Sequence, residues 1–138
     1  MSARENKQAL AVILSALADG ETQPFVEALA DDVVWTVSGK TAWSKSYRGK
    51  TALRSELFQP IMRRFAQPYR LVTERMLAED DFVVVQLRGN GNVSKQGTPY
   101  EQHYCWVCRL TDGKLKEVVE YADTELAMRV IGTPESLR

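Results

Sequence analysis

The sequence contains few of the residues that characterise specialised classes of protein. Its 138 residues include only two cysteines, one histidine, five prolines and eight glycines, and eighteen basic side chains balance eighteen acidic ones. The low proline and glycine content, together with 44% hydrophobic residues, excludes disordered and fibrous chains. The absence of net charge argues against a general nucleic-acid-binding protein. No apolar run approaches the roughly 18 residues of a membrane-spanning helix, so we expect neither nucleic acid nor a membrane among the partners.

The N-terminal segment has only weak features of a secretory leader. Arg4 and Lys7 precede an apolar stretch, but Ser15 interrupts that stretch and its leucines repeat with helical period. We therefore expect an N-terminal helix and a cytoplasmic protein.

The two cysteines, Cys105 and Cys108, resemble a redox or zinc pair only in their spacing. Their neighbours are aromatic and β-branched, which predicts a strand, and strand residues three apart face opposite sides about 10 Å apart. A disulfide requires Cα atoms within about 7 Å. No second cysteine pair or histidine cluster completes a zinc site. We predict structural roles for both thiols and no metal site.

The balanced charge is distributed unevenly along the chain. Residues 1–39 carry a net charge of −4, residues 40–75 of +7 and residues 76–138 of −3. The basic segment 40–75 has two interpretations. It is either a solvated helix and loop, or a basic rim that attracts an anionic small molecule or an acidic partner.

The hydrophobic pattern predicts helices first and strands afterwards. Helices are predicted near 4–18, from Thr22 to Asp31, over 51–66 with a kink or break at Pro60, and over 124–131 with Asp123 as N-cap. Strands are predicted over 33–38, 69–78, 82–93, 99–110 and 114–122, the last four as an antiparallel meander. A loop containing Trp43 and Tyr47 precedes the third helix. This order predicts one α+β domain spanning 1–138.

Strand parity predicts which side chains point inward. Tyr104 and Trp106 belong to the apolar face of their strand, Leu87 to the apolar face of the strand before it, and Trp35 and Val37 to that of the first strand. These faces form one concave aromatic surface, which is either packed core or the lining of a ligand cavity.

The last strand does not reveal its inward face. Its two alternating sets of residues are similar in polarity, and parity alone slightly favours Tyr121 over Glu120 as the inward residue. His103, the only histidine, lies opposite in parity to Tyr104 and is predicted on the outer face of the sheet.

Several short segments together resemble a known family. They are Ala-Asp-Asp-Val-Val-Trp at 30–35, Gly-Lys-Thr-Ala-Leu at 49–53, and the stretches 78–85, 104–114 and 120–123. In this order they resemble the SnoaL-like and ketosteroid-isomerase-related branch of the nuclear-transport-factor-2-like superfamily. The resemblance implies a cone-shaped fold, in which a curved, mainly antiparallel sheet wraps around N-terminal helices and encloses an apolar pocket. It also implies a homodimer.

The resemblance implies a catalytic role for Glu120, but this sequence lacks the residues that act together with it in the related enzymes. Glu120 is aligned with the catalytic acid of the polyketide cyclases and points into the pocket on that basis. The cyclase histidine corresponds to Trp106, and the Arg-x-Asp of epoxide hydrolases falls at Leu87 and Gly89. The general base of ketosteroid isomerases corresponds to Val37. Each of these three chemistries therefore lacks an essential residue.

We predict Glu120 and Tyr104 as catalytic residues, because burial raises the pKa of a carboxyl group and a phenol donates a hydrogen bond to a developing oxyanion. The predicted substrate-binding residues are Trp35, Val37, Trp43, Tyr47, Leu87, Trp106 and Tyr121. In the alternative, Glu120 only pairs with a nearby arginine or backbone group.

Three functions remain open on the sequence alone. The first is an isomerase, cyclase or hydrolase that acts on an apolar or aromatic substrate without a metal or organic cofactor. The second is a non-catalytic binding domain for such a molecule. The third is a dimeric protein-interaction module that uses the basic segment 40–75 against an acidic partner.

Overall fold

The computed structural model of the chain describes residues 1–134, and residues 135–138 of the predicted domain lie outside the described part. The helices are α1 (Ala3–Ala18), α2 (Gln23–Ala28), α3 (Lys50–Leu53), α4 (Gln59–Met62) and α5 (Thr124–Val130), with a π-helical segment at Arg54–Phe58 between α3 and α4. The strands are β1 (Leu29–Val37), β2 (Ser46–Arg48), β3 (Leu71–Glu79), β4 (Phe82–Gly89), β5 (His103–Thr111) and β6 (Lys114–Ala122).

The sheet confirms the predicted α+β class. Its strand order is β2-β1-β6-β5-β4-β3, an open, curved sheet in which only β1 and β6 pair in parallel. Strands β3 to β6 form the predicted antiparallel meander. Because α1 packs on β3 and β4, and α2 and α3 pack on β1, the helices cover one face of the sheet. Their buried apolar side chains form a single core with that face.

The N-terminal helices follow their sequence signals with one shift of boundary. Ser2 and Glu5 form a capping box at the start of α1. Helix α2 ends at Ala28, so Asp31 and Asp32, expected at the helix end, are instead exposed residues of β1. Lys116 on the neighbouring β6 donates 2.6 Å hydrogen bonds to Asp32, and this ion pair helps to hold the segment in the sheet.

The third helical region contains a wide turn immediately before Pro60. The Gln59 N–H donates to the Arg54 carbonyl, an i→i+5 hydrogen bond in place of the α-helical i→i+4 bond. Proline lacks an N–H and its ring crowds the carbonyl four residues earlier, here that of Glu56. The sequence predicts a kink or a break at Pro60, and the structure has a π-helical segment immediately before this residue. The helix ends at Met62 rather than at 66.

Two predicted strands are shorter in the structure, and one strand was not predicted. The segment 90–102, assigned in part to β4 and β5 by the sequence, forms isolated bridges only. Asn92 accounts for this, since its side chain bonds both the N–H and the carbonyl of Arg70 at 2.9 Å in place of a strand ladder. Residues around Tyr47 form the short strand β2 on β1 instead of a loop.

A β-bulge explains why parity failed on the last strand. Leu110 pairs with Leu115 but Arg109 pairs with Glu117, so Lys116 is an extra residue in β6. The inward set therefore changes from odd to even along β6, and Val118 and Glu120 face the helices. The preference of parity for Tyr121 was wrong.

No described helix combines the length and apolar character needed to cross a bilayer. Cys105 and Cys108 are both free thiols, on opposite faces of β5 as predicted. Burial raises the pKa of Cys108 to about 12, so this thiol stays protonated at neutral pH.

Candidate functional site

A cavity of about 270 Å³ lies between the concave face of the sheet and the helices. Six of the predicted site residues line it, namely Trp35, Val37, Trp43, Tyr104, Trp106 and Glu120. They come from β1, the β1–β2 loop, β5 and β6, so the curvature of the sheet brings together side chains that are distant in the sequence.

Three predicted substrate-binding residues do not line the cavity. Tyr121 is 50% exposed on the outer face, because it follows Glu120 on a strand and points the opposite way. Leu87 faces inward as predicted but is buried in the core. Tyr47 is also buried, and its hydroxyl donates to the Trp43 carbonyl at 2.7 Å, so it holds the β1–β2 loop in place.

Glu120 lies directly opposite Trp106 in the β5–β6 pairing. The Trp106 Nε1–H donates to Glu120 Oε1 at 3.0 Å, and no salt bridge to Glu120 occurs among residues 1–134. Burial raises the pKa of Glu120 to about 7, and the Trp106 hydrogen bond opposes this increase only in part. Among residues 1–134, no arginine therefore neutralises Glu120 through an ion pair, which is one of the two pairings that the alternative predicts. The tryptophan aligned by resemblance with the cyclase histidine binds the carboxyl group instead.

Aromatic rings form the wall beside Glu120. Trp35 and Trp106 meet edge to face with centroids 5.1 Å apart, and Phe25 and Phe58 pack against Trp35 at 6.0 and 5.2 Å. The Trp35 Nε1–H is buried and has no hydrogen-bond partner among residues 1–134. A buried N–H without an acceptor is costly, so this donor lowers the stability of the aromatic wall.

Three tyrosines line the cavity, and only Tyr104 is among the predicted site residues. Tyr69 and Tyr104 share a hydrogen bond of 2.7 Å between their hydroxyl oxygens. Tyr100 accepts a 2.9 Å hydrogen bond from Gln102 Nε2, which leaves the proton of its own hydroxyl available to donate. Burial raises the pKa of Tyr100 to about 12 and that of Tyr104 well above 10, so these hydroxyls stay protonated at neutral pH.

Tyr69 and Tyr100 lie just before β3 and β5 in the structure, whereas the sequence pattern includes them in the predicted strands 69–78 and 99–110. Tyr100 has the same even parity as Tyr104 in the predicted strand 99–110. Strand parity was therefore a signal that could have found Tyr100.

Arg64, from the basic segment, holds the C-terminal part of the chain beside the cavity. Its guanidinium donates 2.7 Å hydrogen bonds to the carbonyls of Ile131 and Thr133 and lies 5.1 Å from the Trp43 ring. Trp43 Nε1 donates to the Gly132 carbonyl at 2.6 Å. The buried Arg64 is thus structural, although it belongs to the basic segment 40–75 for which a ligand-attracting rim was one interpretation.

No group of three or more potential metal ligands from His, Cys, Asp and Glu occurs within residues 1–134. His103 is exposed on the outer face, as its parity predicted. The described cavity lining contains one carboxyl group, one guanidinium, several hydroxyls and aromatic rings. Such a lining suits proton transfer and hydrogen bonding to an apolar ligand.

A family model described as the SnoaL-like domain matches residues 11–118. The chain belongs to the SnoaL-like family. No curated protein matches the sequence. The SnoaL-like assignment confirms the family resemblance drawn from the sequence.

Solved structures share the fold of this SnoaL-like protein at low sequence identity. An NTF2-like protein of unknown function from Burkholderia pseudomallei is 19% identical with a TM-score of 0.76, over 95% of this chain and 98% of that one. An isomerase-named protein from Bacillus subtilis is 15% identical with a TM-score of 0.77, over 96% of each chain. A protein from Jannaschia named as a SnoaL-like polyketide cyclase is 16% identical with a TM-score of 0.70, over 94% and 92%. These similarities confirm the predicted NTF2-like architecture.

Proposed function

We propose that this SnoaL-like protein is a cofactor-independent enzyme of the isomerase type, which moves a proton at the carbon next to the carbonyl of an apolar or aromatic ketone. The observation that carries the proposal is the Glu120 carboxyl group, buried in an aromatic cavity with a pKa of about 7. A group that titrates near the working pH is present in both its acid and its base form, as proton transfer requires.

In the proposed reaction Glu120 acts first as base and then as acid. Its carboxylate removes the α-proton, so the C–H bond breaks, an O–H bond forms on the carboxyl group, and the electron pair moves to the carbonyl oxygen as an enolate. Returning the proton to the same or a conjugated carbon regenerates the carboxylate and gives the isomer. Trp106 keeps one carboxyl oxygen fixed throughout.

The tyrosine hydroxyls supply the stabilisation that an enolate needs. Tyr104 and Tyr100 are protonated at neutral pH and line the same cavity as Glu120. Hydrogen bonds to a developing oxyanion in a site of low polarity are among the largest contributions to catalysis. The isomerase-named and cyclase-named structural neighbours support a reaction of this general kind.

The experiment uses 2-tetralone, a bicyclic aromatic ketone with acidic α-hydrogens, as the probe in D₂O. We expect the wild-type protein to accelerate hydrogen–deuterium exchange at the α-carbons of 2-tetralone, and NMR measures this exchange. The rate should rise through about pH 7 as Glu120 ionises. Glu120→Gln should lose about 100-fold or more of this acceleration, and Tyr104→Phe about tenfold. Glu117→Gln is the matched control, because Glu117 lies outside the cavity and pairs with Arg109. Equal exchange in the wild type and Glu120→Gln contradicts the proposal.

A second candidate function is a non-catalytic binding domain for an apolar molecule. The apolar and aromatic lining of the cavity favours it, because an apolar ligand can fill such a cavity without any reaction. Native mass spectrometry of the purified protein tests it. A bound compound recovered unchanged after incubation at pH 7, with no α-exchange in D₂O, supports binding alone, whereas any exchange or conversion excludes it.

A further inference from the structure

Arg54 is the only basic residue among the described residues that line the cavity, and Glu120 is the only acidic one. Arg54 forms no ion pair within residues 1–134. Glu56, the nearest carboxylate along the helix, pairs with Lys45 at 3.1 Å. Arg54 is not the counter-ion of Glu120 either, since burial and Trp106 account for the pKa of that group. The cavity wall therefore contains a cation that no described carboxylate neutralises.

The π-helical segment brings a second polar residue, Gln59, to the cavity lining that contains this cation. In an α-helix, residues five apart project about 140° from each other, at 3.6 residues per turn. Here the Gln59 N–H donates to the Arg54 carbonyl, and this i→i+5 hydrogen bond widens the turn over Arg54–Phe58. Because of the wider turn, Arg54 and Gln59 both line the cavity. A guanidinium and an amide N–H are both donors, and together they match the two oxygens of a carboxylate.

The charge of the lining favours an anionic ligand near neutral pH. Arg54 contributes a full positive charge, whereas Glu120 is only partly ionised because its pKa is about 7. The rest of the described lining is apolar, aromatic or uncharged and polar. A small molecule that fills this cavity therefore meets a net positive potential at the Arg54 wall and an aromatic environment elsewhere.

We infer that the ligand of this cavity is an aromatic or apolar molecule with a carboxylate group, which Arg54 and Gln59 hold while the ring system packs against Trp35 and Trp106. The inference rests on the proposed function only in placing the ligand in this cavity. It narrows the substrate of the proposed reaction from a ketone to a keto acid.

Two nearly isosteric probes, 2-naphthoate and 2-naphthamide, test the inference by isothermal titration calorimetry at pH 7 and low salt. We expect the wild type to bind the carboxylate about tenfold more tightly than the amide, as one charge-assisted contact provides. Arg54→Ala should remove this preference, and Arg54→Lys should retain part of it. Arg63→Ala is the control, because Arg63 is an exposed cation near the same helix and does not line the cavity.

Three results overturn the inference. They are the absence of naphthoate binding to the wild type, a preference below twofold, and an equal loss in Arg54→Ala and Arg63→Ala. Because Arg54 is exposed, its replacement should leave the circular dichroism spectrum unchanged, which confirms that the variant is folded.

The same variants separate this inference from the proposed reaction. Glu120→Gln should keep the preference for naphthoate while it loses exchange of 2-tetralone. If Glu120→Gln loses exchange of 2-tetralone but Arg54→Ala binds naphthoate as the wild type does, the proposed reaction is supported and the anionic ligand is rejected. A carboxylate preference that depends on Arg54, with no exchange in any variant, rejects the reaction and retains the ligand class.

Discussion

Burial is the largest influence on the ionisation of Glu120, and it links the candidate site to the stability of the fold. The pKa of this group rises from 4.5 to about 7 in the folded protein. Between these pH values the folded protein keeps a proton that the unfolded chain has released. The contribution of Glu120 to the free energy of unfolding therefore decreases as the pH rises from about 4.5 to 7, and stays low above that interval.

We predict that Glu120→Gln stabilises the protein at pH 8 and leaves its stability nearly unchanged at pH 4. Glutamine resembles the neutral acid and can still accept from Trp106 Nε1, so only the cost of burying the charge disappears. That cost is about 3 kcal/mol at most. Urea unfolding followed by tryptophan fluorescence across this pH range measures the difference.

Glu117→Gln is the control of opposite sign for this prediction. The hydrogen bond from Arg109 lowers the pKa of Glu117, so its ionised form stabilises the folded state at neutral pH. Removing that charge should lower the stability slightly at pH 8. A Glu120→Gln variant that is no more stable than the wild type at pH 8 contradicts the raised pKa of Glu120.

The sequence predicted some of the cavity-lining residues and not others. Strand parity predicted Trp35, Tyr104 and Trp106 as inward residues, because every second side chain along a strand points to the same face of the sheet. Glu120 was assigned by resemblance rather than by pattern, since an extra residue at Lys116 changes the inward set within β6. Arg54 and Gln59 were not singled out, because only the wide turn before Pro60 places both on the cavity side.

At the scale of elements, Gln102 joins the start of β5 to the start of α5. It is fully buried, and its side-chain oxygen accepts from the backbone N–H groups of His103 and Asp123, each at 2.9 Å. Its Nε2 donates to the Asp123 carbonyl and to the Tyr100 hydroxyl, also at 2.9 Å. One side chain therefore satisfies polar groups on two elements and orients a hydroxyl in the cavity.

We predict that Gln102→Leu lowers the free energy of unfolding by about 3 kcal/mol, because several buried polar groups lose their partners. Chemical denaturation measures this loss, and Gln8→Leu on the exposed side of α1 should stay within about 0.5 kcal/mol of the wild type. A loss below about 1 kcal/mol for Gln102→Leu would show that water replaces these hydrogen bonds.

The elements also show where local sequence signals suffice. Asp123 caps the start of α5 as predicted. The capping box of Ser2 and Glu5, which was not predicted, lies at the start of the predicted first helix. Each cap involves residues close in the sequence. The region 90–102 was assigned in part to strands, because its loop depends on Asn92 bonding the backbone of Arg70. Contacts across 22 residues leave no pattern in a single sequence.

At the scale of the whole molecule, the two faces of the sheet differ in what covers them. The helices and the cavity lining occupy the concave face. On the outer face, Leu77, Val84, Val107 and Val119 lie opposite one another in successive pairings and form an apolar row across four strands. No described element covers this row. Two ion pairs, Arg109 with Glu117 and Arg88 with Glu74, lie on the same face, so this face carries both positive and negative charges.

We propose that a second copy of this chain covers the apolar row. A two-fold contact brings the same surface of both copies together, so a face with an apolar centre and both signs of charge beside it can pair with itself. Light scattering after gel filtration at micromolar concentration should therefore give twice the chain mass of 15.6 kDa. Val107→Lys should shift the protein to the monomer mass, because it places two charges in the centre of the contact.

Val93→Lys is the matched control for the dimer prediction, because Val93 is 43% exposed and lies outside the apolar row. It should leave the dimer intact. The variant Val107→Lys should still bind naphthoate, since the cavity lies on the opposite face of the sheet, and this binding confirms that the monomer is folded. A wild-type protein that has the monomer mass throughout the micromolar range contradicts the proposed dimer.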